Sequence, residues 1–297
     1  MNRRLDEFIE YLEIEKNYSF YTVENYKRDI ECFFSFLKQE GFNNLKEVDY
    51  QLLRNYLNVM TKKEYSSKSI SRNLSSLRSF FKYLLKQNII EQNPMILISN
   101  PKEEKRLPKY LNYQEIEKVL NIPDCNTILG LRNACILEVL YSTGIRVSEL
   151  VSIKINDIDF YQNRIKITGK GNKERYVLFG KRCEDLLKKY IKDSREELNK
   201  KNSNYLLLNQ NGGNITVRSI ENIVDKIVKE ASLKFSISPH VLRHTFATHM
   251  LDNGADLNSV KELLGHENLN TTSIYTHISN ERLRNVYLNC HPRAKEK

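Results

Sequence analysis

Apolar residues recur at helical spacing along most of the chain and alternate at strand spacing in one short region. Leu5, Phe8, Ile9 and Leu12 mark a first helix, and Val23, Tyr26, Ile30, Phe33, Phe34 and Leu37 a second, closed by Gly41. Leu52, Leu53, Tyr56, Leu57 and Met60 predict a third from about 49 to 63, and Ile70, Leu74, Leu77, Phe81 and Leu84 a fourth from about 67 to 87. Pro94, Pro101 and Pro108 then disfavour a continuous helix, and the charged K-E-E-K-R between them reads as solvated. Residues 91–110 are therefore expected to be a linker between a helical domain over 1–90 and a second domain over 111–297. A surface loop within one domain fits that composition too.

In the second domain, Asn112 with Glu115 forms a loose capping box for a helix through Leu120. Ile128, Leu131, Cys135, Ile136, Val139 and Leu140 predict a buried helix ending at Gly144. Alternation then takes over. Segments 157–160, 164–167 and 175–178 predict a small antiparallel sheet, with a final turn over 169–172. Helices are expected again over about 181–198, 217–230 and 281–289. Pro239 opens another, on which Val241, Leu242, Ala247, Met250 and Leu251 can face a core. A short helical run, Leu257, Val260, Leu263 and Leu264, ends at a capping Gly265. The expected class is mainly α with a small antiparallel sheet.

Charge sharpens the picture in the fourth helix. Residues 1–49 carry seven basic and eleven acidic side chains, whereas residues 62–86 carry seven basic residues against Glu64 alone. At 100° per residue, Lys68, Arg72, Ser75, Ser79, Lys82 and Lys86 fall in a narrow band opposite the apolar stripe. A basic band with hydroxyls and almost no acids favours phosphate contact, although a charge run is commonly a solvated face. The whole chain of 297 residues has a net charge of +10, which also favours nucleic acid without requiring it. No apolar run approaches a membrane span, and the N-terminus lacks the apolar stretch of a signal peptide. Five cysteines, odd in number and without metal-ligand spacing, fit a reduced, cytoplasmic protein.

Candidate chemistry collects late in the chain. His240 and Arg243 stand three apart on one helix and share a face, His266 follows the Gly265 cap, and Tyr275 lies nine residues further on. Arg146 follows the Gly144 breaker, with Glu149 three residues later able to orient it or to solvate its helix. Lys170 sits on a glycine-flanked turn, with Lys173 and Arg175 as rivals for DNA-backbone contact. Taken alone, Arg146 reads equally as a surface arginine, His240 as a helix-start histidine and Lys170 as a turn lysine. With 17 tyrosines in the chain, chemistry alone does not select Tyr275. His244 and His249 read as an exposed neighbour and a core-edge residue. His240 and His244 have metal-ligand spacing, but no H-E-x-x-H, cysteine pair or compact carboxylate set completes a site.

The pieces T-G-I-R-V-S-E-L, G-K-G-N-K-E-R, H-V-L-R-H-T-F-A-T-H-M, L-L-G-H and Y-T-H occur in this order, and the chain ends near H-P-R-A. In that set the chain resembles the tyrosine site-specific recombinases, above all the bacterial Xer group. The resemblance implies an N-terminal four-helix domain clamping one side of a DNA duplex and a C-terminal catalytic domain. It implies Arg146 and Arg243 on the scissile phosphate, Lys170 as general acid, His240 and His266 assisting, and Tyr275 as nucleophile. The bond is stored as a phosphotyrosine, so no metal or ATP is required.

The implied partners are a double-stranded recombination site, a tetramer of self or with a related second recombinase, and a DNA translocase. The last helix is expected to pack onto a neighbouring subunit, and the implied role is resolution of chromosome dimers. A mobile-element integrase, a type IB topoisomerase and a non-catalytic DNA-binding regulator are the alternatives.

Overall fold

In the computed structural model the described residues are 1–16, 18–101, 110–169, 173–232, 237–265 and 277–294, with backbone alone for 277–280. All of the expected K-E-E-K-R stretch and residues 170–172 of the 169–172 turn fall outside them. The chain divides into two compact units, Met1–Leu107 and Pro108–Lys297.

The first unit is built from α1 (Asn2–Ile14), α2 (Phe20–Gln39), α3 (Tyr50–Lys62) and α4 (Ser67–Lys86). The predicted stripes meet in one core in which Phe8, Phe33, Phe80, Phe81, Leu37 and Leu77 are fully buried. Asp49 caps α3 by accepting from Leu52 N, and Ser66 caps α4 by accepting from Ser69 N. One charge is drawn inward. Asp29 of α2 is buried and accepts Arg72 Nε at 3.2 Å, Arg72 Nη2 at 2.7 Å and Ser76 Oγ at 2.9 Å. Arg78 donates to Ile98 O and to Asn100 Oδ1, holding the stretch that follows α4 against that helix.

The second unit is centred on α6 (Ile128–Thr143), which is buried nearly all round from Leu131 to Thr143. Such a helix shows no amphipathic face because neighbours cover every side. Around it lie α5 (Tyr113–Leu120), α7 (Val147–Leu150), α8 (Lys181–Lys189), α9 (Glu196–Leu198), α10 (Val217–Glu230), α11 (Pro239–Asp252), α12 (Leu257–Leu264) and α13 (His277–Cys290). The Asn112–Glu115 capping box is formed in both directions. Strands β1 (Ile158–Asp159), β2 (Arg164–Thr168) and β3 (Glu174–Leu178) make an antiparallel sheet in the order β1-β2-β3. Ile165 pairs with Val177, and both are buried, so one face of the ladder joins the core. The molecule is thus mainly α with one small sheet.

The helix expected over 181–198 is present and widens into a π turn at Tyr190–Arg195, where Ser194 Oγ donates to Ile128 O and Arg195 donates to the carbonyls of Ser203 and Tyr205. Two local expectations are corrected. On α11 the inward residues are Leu242, Thr245, Phe246, His249 and Met250, whereas Leu251 is exposed. His249 is no core-edge residue: it is buried, with Nδ1 at 2.8 Å from Tyr141 Oη and its ring stacked on Tyr113. Its neighbour His244 is half-buried, edge-on to Tyr110.

The last helix has an apolar face packed within its own unit. Leu283, Tyr287 and Cys290 of α13 pack, with Ala294, on Phe246, Met250, Leu263 and Leu264 of the same unit. The following tail is locked down by Arg293, which ion-pairs with buried Glu138 and donates to both oxygens of Glu117. His291 is buried between Tyr287 and Tyr141.

Candidate active site

The site starts at the end of α6. Gly144 adopts a left-handed conformation (φ +61°) and its N–H bonds Leu140 O, ending the helix. A Cβ there would lie 2.6 Å from Phe246 Cδ1 and 2.8 Å from Leu264 Cδ2, so glycine is required by space as well as by backbone. Two residues on, Arg146 stands at the start of α7. Its backbone N–H donates to Glu149 Oε2 at 2.8 Å, and its Nη1 donates to Glu149 Oε1 at 3.1 Å.

Glu149 is the hub. Its side chain is 5% exposed, and Arg175 Nη1 and Nη2 reach its two oxygens at 2.9 Å each. Burial alone would raise this carboxyl, but the hydrogen bonds from Arg175 and the Arg146 backbone, with both positive charges, hold it below the usual glutamate value. Arg175 enters from β3 and is 19% exposed; Arg146 is 41% exposed.

Arg243 arrives one turn into α11. Its Nη1 donates to Gly144 O at 2.6 Å and its Nη2 to Leu264 O at 2.8 Å. The guanidinium therefore ties together the C-terminal ends of α6 and α12, where helix carbonyls lack intrahelical partners. Burial, followed by repulsion from Arg146 and Arg175, pushes Arg243 down to about 10, so it remains a cation at neutral pH. Two arginines engage one carboxylate and Arg243 stands near enough to feel all three charges, leaving a local excess of positive charge. An anion with several oxygens is the complementary ligand, and a phosphodiester has that chemistry.

His240 lies in the first turn of α11, exposed, on the same helix as Arg243. Lys170, His266 and Tyr275 lie outside the described residues. Their chain neighbours are placed: β2 and β3 flank Lys170, and Gly265, in a left-handed cap (φ +68°), immediately precedes His266. Tyr56, Tyr141, Tyr190 and Tyr287 are buried, and burial pushes each phenol far above its ordinary value. None of these four suits a nucleophile.

In the α4 band, Lys68, Arg72, Ser75, Lys82 and Lys86 are exposed and Ser79 is half-buried. Arg72 is held by Asp29, and Lys86 approaches Glu15 at 3.4 Å. Lys173 is exposed beside β3. Among the described residues, no group of three or more His, Cys, Asp or Glu side chains is placed to hold a metal ion. No described helix is long and apolar enough to cross a membrane.

The Arg175–Glu149 pair was not recognisable in advance, because its members lie 26 positions apart on different elements. Only the position of Glu149, three residues after Arg146, pointed to it.

Comparison with known proteins agrees with this geometry. Residues 109–282 match the phage integrase family, and residues 5–88 match its N-terminal SAM-like domain. The tyrosine recombinase XerC of Anoxybacillus flavithermus is 48% identical over 99% of both chains. That of Bacillus subtilis is 47% identical, over 98% of this chain and 96% of the relative. Among solved structures, the XerH site-specific recombinase bound to a palindromic difH substrate in a post-cleavage complex superposes with a TM-score of 0.72. It is 29% identical, over 96% of this chain and 83% of that one. Two domain matches in series, full-length likeness and a preformed arginine cluster make this chain a member of the phage integrase family, the tyrosine recombinases that cut and rejoin DNA.

Proposed function

We propose that the chain is a site-specific DNA recombinase that resolves chromosome dimers, with double-stranded DNA as its substrate. The observation that carries this reading is the Arg146–Glu149–Arg243 arrangement. It presents two cations from different helices, one of them oriented by a buried carboxylate and the other by two helix ends. A phosphodiester resists attack because its oxygens are negative, and that charge grows during substitution. Arg146 and Arg243 would bind the non-bridging oxygens and stabilise it.

In the proposed reaction Tyr275 Oη attacks phosphorus, the bond to the 5′ oxygen breaks, and a 3′-phosphotyrosyl linkage forms. Lys170 gives a proton to the departing 5′ oxygen, which is otherwise a poor leaving group. His266 hydrogen-bonds the phosphate, and His240 assists proton movement or positions Tyr275. A 5′ hydroxyl from a partner strand reverses the step. Lys68, Arg72, Ser75, Ser79, Lys82, Lys86 and Lys173 are the proposed contacts to the DNA backbone.

The protein would act as a tetramer on two sites, made of itself or with a related second recombinase, and with a DNA translocase. Likeness to chains named tyrosine recombinase XerC supports the chromosomal role. The test is a supercoiled plasmid carrying two candidate chromosomal sites, incubated with the chain alone and with a second recombinase from the same genome. Recombinant circles are expected. Supercoil relaxation without exchange would indicate a swivelling topoisomerase instead.

A further inference from the structure

Arg175, the last residue of the G-K-G-N-K-E-R piece, joins several parts of the site. Both of its terminal nitrogens engage Glu149, the carboxylate that also accepts the backbone N–H and Nη1 of Arg146. Its flat face at Nε lies against the cap of α12. A Cβ added at Gly265 would stand 2.6 Å from Arg175 Nε and 2.9 Å from Cδ and Cζ. The buried Nε has no hydrogen-bond partner among the described residues. One side chain therefore spans the start of β3, the start of α7 and the end of α12. In chain order those points adjoin Lys170, Arg146 and His266.

We propose that Arg175 is a positioning residue for strand cleavage: through Glu149 it fixes the Arg146 guanidinium, and against Gly265 it holds the end of α12, whose Leu264 carbonyl accepts Arg243. The alternative, a DNA-backbone contact, fits poorly with a side chain 19% exposed whose two terminal nitrogens are already on Glu149. Lysine is no substitute. A single ammonium cannot span both carboxylate oxygens in a plane, and it lacks the flat face that lies on Gly265. Without Arg175, Glu149 stays buried with Arg146 as the remaining cation on its oxygens, so it takes up a proton more readily and releases Arg146.

The inference rests on the recombinase reading, and the experiment separates the two. The full chain is bound to candidate-site DNA nicked near the cleavage position. Binding affinity, its salt dependence and the single-turnover rate of covalent adduct formation are measured for wild type, Arg175→Lys and Arg175→Gln. The rates are followed across acid to neutral pH, with urea unfolding of each variant alongside. The expected result is near-normal binding and folding with adduct formation roughly 10- to 100-fold slower for the lysine variant. For the glutamine variant, the acid limb of the rate should also move to higher pH. Wild-type rate with an unmoved acid limb would overturn the proposal. So would weaker binding with a shallower salt slope and a normal rate at saturating DNA, which is the signature of a phosphate contact. A wild-type chain that binds but forms no adduct would instead remove the recombinase reading, and this one with it.

Discussion

Glu149 is ionised because arginines surround it, and two consequences follow at the residue scale. Its folded value lies below the ordinary 4.5, so the stability it contributes is complete above that value and is lost as pH falls below it. Glu149→Gln should flatten that part of the stability–pH curve measured by urea unfolding, and should slow cleavage without abolishing DNA binding. His291 behaves in the same direction for a different reason. Arg293 N donates to its Nδ1, so Nδ1 must be unprotonated, and Nε2 then donates to Tyr141 O. Burial, with the nearby positive charge of Arg293 as a smaller cause, pushes it down to about 3. The folded chain therefore holds this ring neutral, and stability should decline as pH falls from about 6.5 toward 3. His291→Gln should remove that decline if folding survives; an unchanged slope would place the titration elsewhere. Arg146 and Arg243 were legible in short motifs with their roles, whereas Arg175 and His291 stand in such motifs without their partners being legible. Their roles come from partners distant in sequence, and no periodicity records such pairings.

The helices themselves were largely legible, because stripes, caps and breakers agree. Asn112 with Glu115, Asp49, Ser66 and Gly144 all act where their residue types predict. The departures within helices have physical causes. The π turn at Tyr190–Arg195 is stabilised by side-chain bonds to distant carbonyls, and α11 is covered on so many sides that its inward face could not be read from apolarity alone. Gly144→Ala tests how tightly one helix end governs the site. The left-handed backbone alone costs roughly 1–2 kcal/mol, and overlap with Phe246 and Leu264 adds to it. Because Gly144 O is an acceptor for Arg243, cleavage should fall along with stability. On α4 the band divides. Lys82 is exposed, whereas Arg72 is anchored on Asp29. Lys82→Ala should weaken binding to all sequences alike and lower the salt slope by roughly one. An unchanged slope would make this face merely solvated.

At the scale of the whole molecule, the chain closes on itself. The tail returns to α6, where Arg293 and Glu138 pair away from water, and Tyr287 and Ala294 fill the cluster beside α12. Removing one partner of such a pair leaves an uncompensated charge, so Arg293→Ala should cost roughly 3–5 kcal/mol in urea unfolding. Truncation after Asn280 should likewise destabilise the second unit itself, not assembly alone; a truncated chain as stable as the full one would count against this packing. The H-P-R-A ending was legible as a resemblance but not as a latch, since nothing in four residues reveals a buried carboxylate on α6. The division into helical and catalytic units was visible in the proline-spaced stretch and the change of pattern after it. The central claim is covalent chemistry at Tyr275, and one measurement addresses it directly. Wild type and Tyr275→Phe are incubated with nicked candidate-site DNA that cannot religate, and denaturation-resistant protein–DNA adduct is measured after binding is verified for both. An adduct from wild type alone is the predicted result. An adduct from both, or none from a wild-type chain that binds and synapses its site, would contradict it.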